Sequence, residues 1–484
     1  MATQKQRGST VNYRPTLAII GGGFSGSLLA VQLLRQARQP LRIVLIERDD
    51  LPGRGVAYRD QPDCHLLNVR AEAMSAFADQ PDHFLNWLNT HYSPCHPVGT
   101  TEYLPRRIYG AYIESLLDDA RQQARSGVSL EIRIDEVIGL AHGADATTLH
   151  LRNHRRLRAD RVVLACGNPG PSDPTLSSAQ PRTAAGYIGQ AWSTPGLYTV
   201  GRDENLLLIG SGLTALDWLV SLAARGHRGR IDLVSRRGLL PQAHRPAPAH
   251  TLRFDPLQLP PRLRPLLRAL RLEATHAAEN GGDWRGVIDA LRPYTQRIWQ
   301  RLPAVEQRRF LRHLRPYWEI HRHRAAPRVM ATIDQLQQQQ RMRLRAGRLR
   351  DLQEVDGKLR ARLQLRRSTA HCEIEVDRVI NCTGPECDYR RLDHPLIVAL
   401  REQGLIDADA LGLGLSTDAN GALLNGNGEA STRLFTLGPP RKGQLWETTA
   451  VPEIRVQAQA LAQHLLAQPR TAAVLHEQPA IAWL

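Results

Sequence analysis

Apolar residues in this chain gather in short unbroken runs: Leu17–Ile20, "LRIVLIE" ending at Glu47, "RVVL" at 161–164, "NLLLI" at 205–209, "RIDLVS" ending at Ser235 and "RVIN" at 378–381. Runs of this length, bounded by glycine and polar residues, read as strands buried on both faces. Two of them lead through a glycine-rich turn into an apolar helix and then into a second strand. The pattern predicts an α/β fold with two Rossmann-like dinucleotide-binding units. Between residues 245 and 345 the period changes. Apolar positions recur at helical spacing in "PPRLRPLLRALRLEA", "DWRGVIDALRPYTQRIWQRL", "AVEQRRFLRHLRPYW" and "APRVMATIDQLQQQQ", with arginines opposite, which predicts a helical insertion.

The two turns differ in the charge that closes each unit. Gly21, Gly23 and Gly26 form a GxGxxG turn, and its second strand closes on Glu47, about 20 residues further on. Glycines let the backbone turn tightly and approach a pyrophosphate, whose charge rests on the helix N-terminus. An acid at the position of Glu47 accepts hydrogen bonds from a ribose 2′-hydroxyl and repels a 2′-phosphate, so FAD or NAD fits. The second turn has Gly210, Gly212 and Ala215, and its strand ends in Ser235, Arg236 and Arg237. Guanidinium groups pair with phosphate oxygens, so this end suits the 2′-phosphate of NADPH. One unit then holds FAD and the other NADPH.

Two short strands ending in Cys-Gly or Thr-Gly, "ADRVVLACGNPGP" (159–171) and "VDRVINCTGPECD" (376–388), bring the chain back after each half. A late strand, loop and long helix begin at "RLFTLGPPRKGQLWETTAVPEIR". Glu447, Thr448 and Thr449 near the helix start either form an ordinary cap or aim N–H groups at a flavin carbonyl or phosphate. The expected division is a tail at 1–15, an FAD domain at 16–200 and 377–484, and an NADPH domain at 201–376 that carries the insertion.

Composition narrows the class. The formal charge of +16 is almost wholly arginine, since lysine occurs only at Lys5, Lys358 and Lys442. The arginines are dispersed, without aromatic-flanked clusters, which reads as codon bias more than as a nucleic-acid surface. The six cysteines show no zinc spacing, and Cys382 and Cys387 either form a redox pair or flank a loop glycine. That usage suits a reducing compartment. No run is long enough for a membrane span, and no secretory signal stands out, so a cytoplasmic location without membrane partners is expected.

In order and spacing these motifs resemble the bacterial FAD-NAD(P)-binding oxidoreductase family of two-dinucleotide-domain flavoproteins. The phrases "LPGRGVAY", "GHRGRIDLVSRRGLLP", "LRPYWEIHRHRAAP" and "LWETTAVPEIR" carry that resemblance across nearly the whole chain. It implies FAD contacts at Gly21, Gly23, Phe24, Ser25, Gly26, Glu47, His65, Gly438, Trp446, Glu447 and Thr448. NADPH contacts are implied at Gly210, Ser211, Gly212, Thr214, Arg236 and Arg237. A second likeness is mechanistic. "LLNVRAEAMSAFADQPDHFLNWL" (66–88) is similar in spacing to class B flavin-containing monooxygenases, which places Asn68 beside the flavin ring as the catalytic residue. Two departures stand out. "YIGQAWSTPGLY" lacks the histidine of the monooxygenase fingerprint, and Gly438-Pro439 replaces a common Gly-Asp.

The resemblance implies an NADPH-dependent FAD monooxygenase that hydroxylates a small polar or anionic substrate with molecular oxygen through a flavin 4a-hydroperoxide. Purines such as urate and the amines of amino acids are candidates. A flavin reductase or oxidase, a tRNA-acting flavoprotein and a slow redox sensor are the alternatives. Arg315, Tyr317, Trp318, His321, His323 and Arg324 crowd one stretch of the insertion, either facing substrate or nicotinamide or closing a basic helix end. His321 and His323 lack a third ligand for a metal.

Overall fold

The computed structural model describes residues 14–93, 98–143, 145–176, 184–192 and 194–467. Most of the expected N-terminal tail and Cys95 lie outside them. Among the described residues, three sheets organise the chain. The first has six strands in the order Ala422–Leu424, Ala430–Thr436, Arg161–Leu164, Thr16–Ile20, Leu41–Glu47 and Val128–Ile134. All its pairings are parallel except that of the first two strands. Ala18, Ile19, Ile43, Val44 and Leu45 are fully buried, because helices cover one face and a second apolar cluster the other. Helix Phe24–Gln36 is wedged between the sheet, helix Arg106–Gln122 and helix Val451–Ala467, and every residue from Phe24 to Leu34 is buried. A three-stranded antiparallel sheet, residues 137–159, lies beside it.

The second sheet has seven strands in the order His371–Val376, Lys358–Leu365, Met342–Val355, Ile231–Ser235, Leu206–Ile209, Arg378–Asn381 and Tyr187–Ile188. Here the observed boundaries differ from those read in the sequence. The division at 200 and 377 puts Arg378–Asn381 and Tyr187–Ile188 in the FAD domain. Their hydrogen bonds place them instead in the second sheet, parallel to Leu206–Ile209 and to each other. A buried parallel strand carries the same apolar run whichever sheet it joins, so pattern alone cannot assign it.

The insertion also ends earlier than 345. Helix Pro327–Gln338 packs on helix Leu213–Ala224 through Val329, Ile333 and Leu336, and then enters strand Met342–Val355. It is therefore the crossover between the parallel strands Ile231–Ser235 and Met342–Val355. The helices from Leu263 to Arg322 form the insertion proper. They dock on the first unit through Trp299, Leu302 and Phe310, which pack with Leu413 and Trp446.

Candidate flavin and nucleotide site

The first glycine turn is sterically closed to side chains. Gly21 has φ +103°, and a Cβ there would stand 2.4 Å from the carbonyl oxygen of Ala165. A Cβ on Gly26 would stand 1.9 Å from the oxygen of Gly21, so helix Phe24–Gln36 lies directly against the turn. Gly23 caps that helix with no side-chain hydrogen bond, leaving its first N–H groups available to an anion. Glu47 curls back over the turn. Its Oε2 accepts from the Gly22 N–H at 2.6 Å, and its Oε1 from the N–H groups of Arg48 and Asp49. Each carboxylate oxygen retains capacity for a ribose hydroxyl. These features fit a dinucleotide.

Residues far apart in sequence meet at this turn. Gly438, at φ +76°, lies against Ser25, whose Oγ would be 2.7 Å from a Cβ there. Thr448 Oγ donates to the Gly438 carbonyl at 2.8 Å, Gln457 donates to Thr448 at 2.8 Å and accepts from the Gly438 N–H at 3.0 Å. Thr448 thus holds the late loop in place with a buried hydroxyl. Phe24 points away from the turn into an aromatic cluster with Tyr58 and Tyr109.

Glu447 and Trp446 tie the insertion to that loop. Glu447 is buried and accepts from Trp318 Nε1 at 3.0 Å, with Arg322 at 3.5 Å. Burial opposes its charge, but Arg322, His323 and the Trp318 hydrogen bond hold its carboxyl below the usual range. Trp446 adopts φ +61°, a costly conformation for a bulky residue, while its ring is packed against Trp299 and Phe310, each at 5.0 Å. The crowded stretch 315–324 therefore includes two side chains, Trp318 and Arg322, that bond the first unit. No local sequence signal pairs them with Glu447.

His65 sits elsewhere. Its Nε2 lies 2.6 Å from Ser221 Oγ and 3.2 Å from the Asp217 carbonyl, and its Nδ1 lies 3.1 Å from Gln61. Both ring nitrogens face protein groups, and burial holds its pKa down. It staples the first unit to helix Leu213–Ala224, as does the Arg106–Asp217 ion pair. Asn68, three residues on, is half-buried. Its carbonyl accepts from His244 Nε2 at 2.9 Å, while its amide makes no hydrogen bond among the described residues.

The second turn repeats the first. Gly210 has φ +110°, and a Cβ would stand 2.4 Å from the Cys382 oxygen, whereas Gly212 faces open space. Ser211 Oγ donates to the Leu239 carbonyl at 2.6 Å and lies 2.8 Å from Ser235 Oγ, joining the turn to the end of the next strand. Thr214 is half-buried in the first turn of the helix. Cys382 and Cys387, which flank the adjoining loop, are free thiols. Beyond Ser235 opens a cavity of about 680 Å³, lined in part by Arg236 and Arg237. Burial, then the guanidiniums of Arg315 and Arg348, hold the pKa of Arg236 below the usual arginine value. Arg237 lies over the ring of Tyr317 at 5.8 Å.

Two glycine turns, each at the carboxyl end of a strand with parallel neighbours and closing on opposite charges, define a protein built around two dinucleotides. Residues 18–169 match the FAD-NAD(P)-binding family, so the chain carries an FAD-NAD(P)-binding domain. No curated protein matches the chain in sequence. Its fold, however, is shared nearly end to end with solved flavin monooxygenases. The ornithine hydroxylase of Pseudomonas aeruginosa superposes with a TM-score of 0.63 at 15% identity, over 94% of this chain and 99% of that one. The FAD-bound cadaverine monooxygenase of Erwinia amylovora gives 0.62 at 14%, over 98% and 100%. The ornithine N-hydroxylase of Kutzneria, solved with reduced FAD, NADP+ and L-ornithine, gives 0.61 at 12%, over 93% and 98%. No described helix is long and apolar enough to cross a membrane.

Proposed function

We propose that this chain is an NADPH-dependent FAD monooxygenase that hydroxylates a small polar substrate, a primary amine first among candidates. The observation that carries the reading is the pairing of two glycine turns, one closing on Glu47 and the other on Arg236 and Arg237. The shared fold with amine hydroxylases supports the amine. FAD, when bound, supplies hydride acceptance from NADPH and oxygen activation. The chain's own residues do the rest. Gly21, Gly23 and Gly26 admit the pyrophosphate of FAD to the N-terminus of helix Phe24–Gln36, and Glu47 receives its ribose hydroxyls. Gly210 and Gly212 do the same for NADPH, whose 2′-phosphate meets Arg236 and Arg237.

Asn68 is the residue proposed for the oxygen step. Its amide offers two donors and an acceptor without charge, and its backbone is fixed by His244. His244 is neutral at neutral pH, its pKa lowered to about 4 by burial and by Arg324, so it does not add charge beside the site. The deciding experiment couples oxygen uptake and NADPH oxidation over a panel of diamines, amino acids and purines, with products weighed by mass spectrometry. A gain of one oxygen atom in an amine supports the proposal. NADPH oxidation without any hydroxylated product across the panel overturns it in favour of a reductase or oxidase.

A further inference from the structure

The cavity beyond Ser235 holds more positive charge than a 2′-phosphate needs. Besides Arg236 and Arg237 it is lined by Arg312, Arg348, Arg366 and Arg367, and by Arg350, which bonds Gln364 Oε1; no carboxylate is among its described lining residues. Leaving Arg350 aside, none of these guanidiniums makes an ion pair among the described residues. They arrive from four separate places: the loop after Ile231–Ser235, the insertion near Pro316, the strand Met342–Val355 and the turn after Lys358–Leu365. Dispersed arginine use does not by itself bring four elements to one bowl with no acid among them. Like charges at such range repel, so the arrangement stores an unfavourable field that an anion relieves.

Size points the same way. A cavity of about 680 Å³ is of the order that takes a whole small molecule, whereas one phosphate engages roughly two guanidiniums in bidentate contact. With Arg236 and Arg237 given to a 2′-phosphate, Arg312, Arg348, Arg366 and Arg367, from the other three segments, remain without an ion pair. We propose that the cavity is a polyanion site, taking a ligand with at least two phosphate groups, and that such a ligand excludes NADPH by occupying its 2′-phosphate end. The exclusion, though not the site, rests on the NADPH reading above.

The test uses the purified full-length flavoprotein. Orthophosphate, tripolyphosphate and ATP are titrated by calorimetry at matched ionic strength, because exposed charges are screened by salt. NADPH binding is then measured with and without tripolyphosphate. One tripolyphosphate per chain, bound about tenfold or more tighter than orthophosphate and competing with NADPH, is expected. ATP separates a nucleotide ligand from a bare polyphosphate by whether it binds tighter than tripolyphosphate. The variants Arg366→Gln/Arg367→Gln and Arg312→Gln/Arg348→Gln should each lose tripolyphosphate affinity by about tenfold with an unchanged thermal melt. Equal affinity for orthophosphate and tripolyphosphate, or unaltered binding in both variants, overturns the proposal. So does binding of a long RNA with none of tripolyphosphate. If Arg236→Ala/Arg237→Ala loses tripolyphosphate but keeps NADPH, the nucleotide reading fails and the polyanion site stands.

Discussion

Arg106 and Asp217 meet across the boundary of the two nucleotide units, bonded through the two terminal guanidinium nitrogens at 2.8 and 3.1 Å with their side chains nearly buried. Arg106 begins the helix that supports the first sheet, and Asp217 lies in the helix after the second glycine turn. Beside them His65 bonds Ser221, so one patch fixes how the two turns face each other. Removing one partner leaves the other charge buried and unpaired. Asp217→Ala should therefore lower stability by about 3–5 kcal/mol, read from the midpoint of urea denaturation. A change within about 0.5 kcal/mol would show the pair to be idle.

The flavin turn tolerates no side chain at Gly26. Gly26→Ala should yield protein with little or no flavin, since its Cβ collides with the backbone oxygen of Gly21. The ratio of flavin to protein absorbance after reconstitution with FAD reads this directly. The wild type should be yellow and release FAD on denaturation, and full flavin content in the variant would contradict the turn's role.

Nucleotide choice should depend on the arginine pair. The wild type should prefer NADPH to NADH, and Arg236→Ala/Arg237→Ala should lose about 1.5–3 kcal/mol toward NADPH, or roughly 10- to 150-fold in kcat/KM. NADH should be little affected. Equal use of both nucleotides by the wild type would remove the assignment.

For Asn68, the informative quantity is coupling. Asn68→Ala should bind FAD and accept hydride at a near-normal rate, yet release hydrogen peroxide in place of hydroxylated product. Loss of one hydrogen bond to a polarised group corresponds to about tenfold or more in the ratio of product to NADPH consumed. An unchanged ratio would make Asn68 structural.

His244 gives a pH signature. Its pKa is lowered to about 4 in the folded chain, mainly by burial and then by Arg324, from an ordinary 6.5. Between those values the unfolded chain binds the extra proton and the folded chain does not. This contribution to stability is complete above pH 6.5 and is lost as pH falls toward 4. His244→Gln, which can still donate to the Asn68 carbonyl, should flatten that fall by about 1–3 kcal/mol in urea titrations. Parallel pH profiles for the two proteins would contradict it.

Both glycine turns follow from the local pattern of the chain. Gly26 sits against the Gly21 oxygen and Gly21 and Gly210 take left-handed φ, while an acid and two arginines stand at the ends of the following strands, so both turns were legible before any folding. Tertiary structure decided what no local rule encodes. Arg378–Asn381 joined the second sheet because pairing partners, not composition, assign a buried strand. His65 turned to Ser221 because the units pack there, and Trp318 and Arg322 reached Glu447, more than a hundred residues away in the chain. The arginine cavity arose in the same way: each arginine is ordinary in its own segment, and only packing of four segments sums their fields at one place.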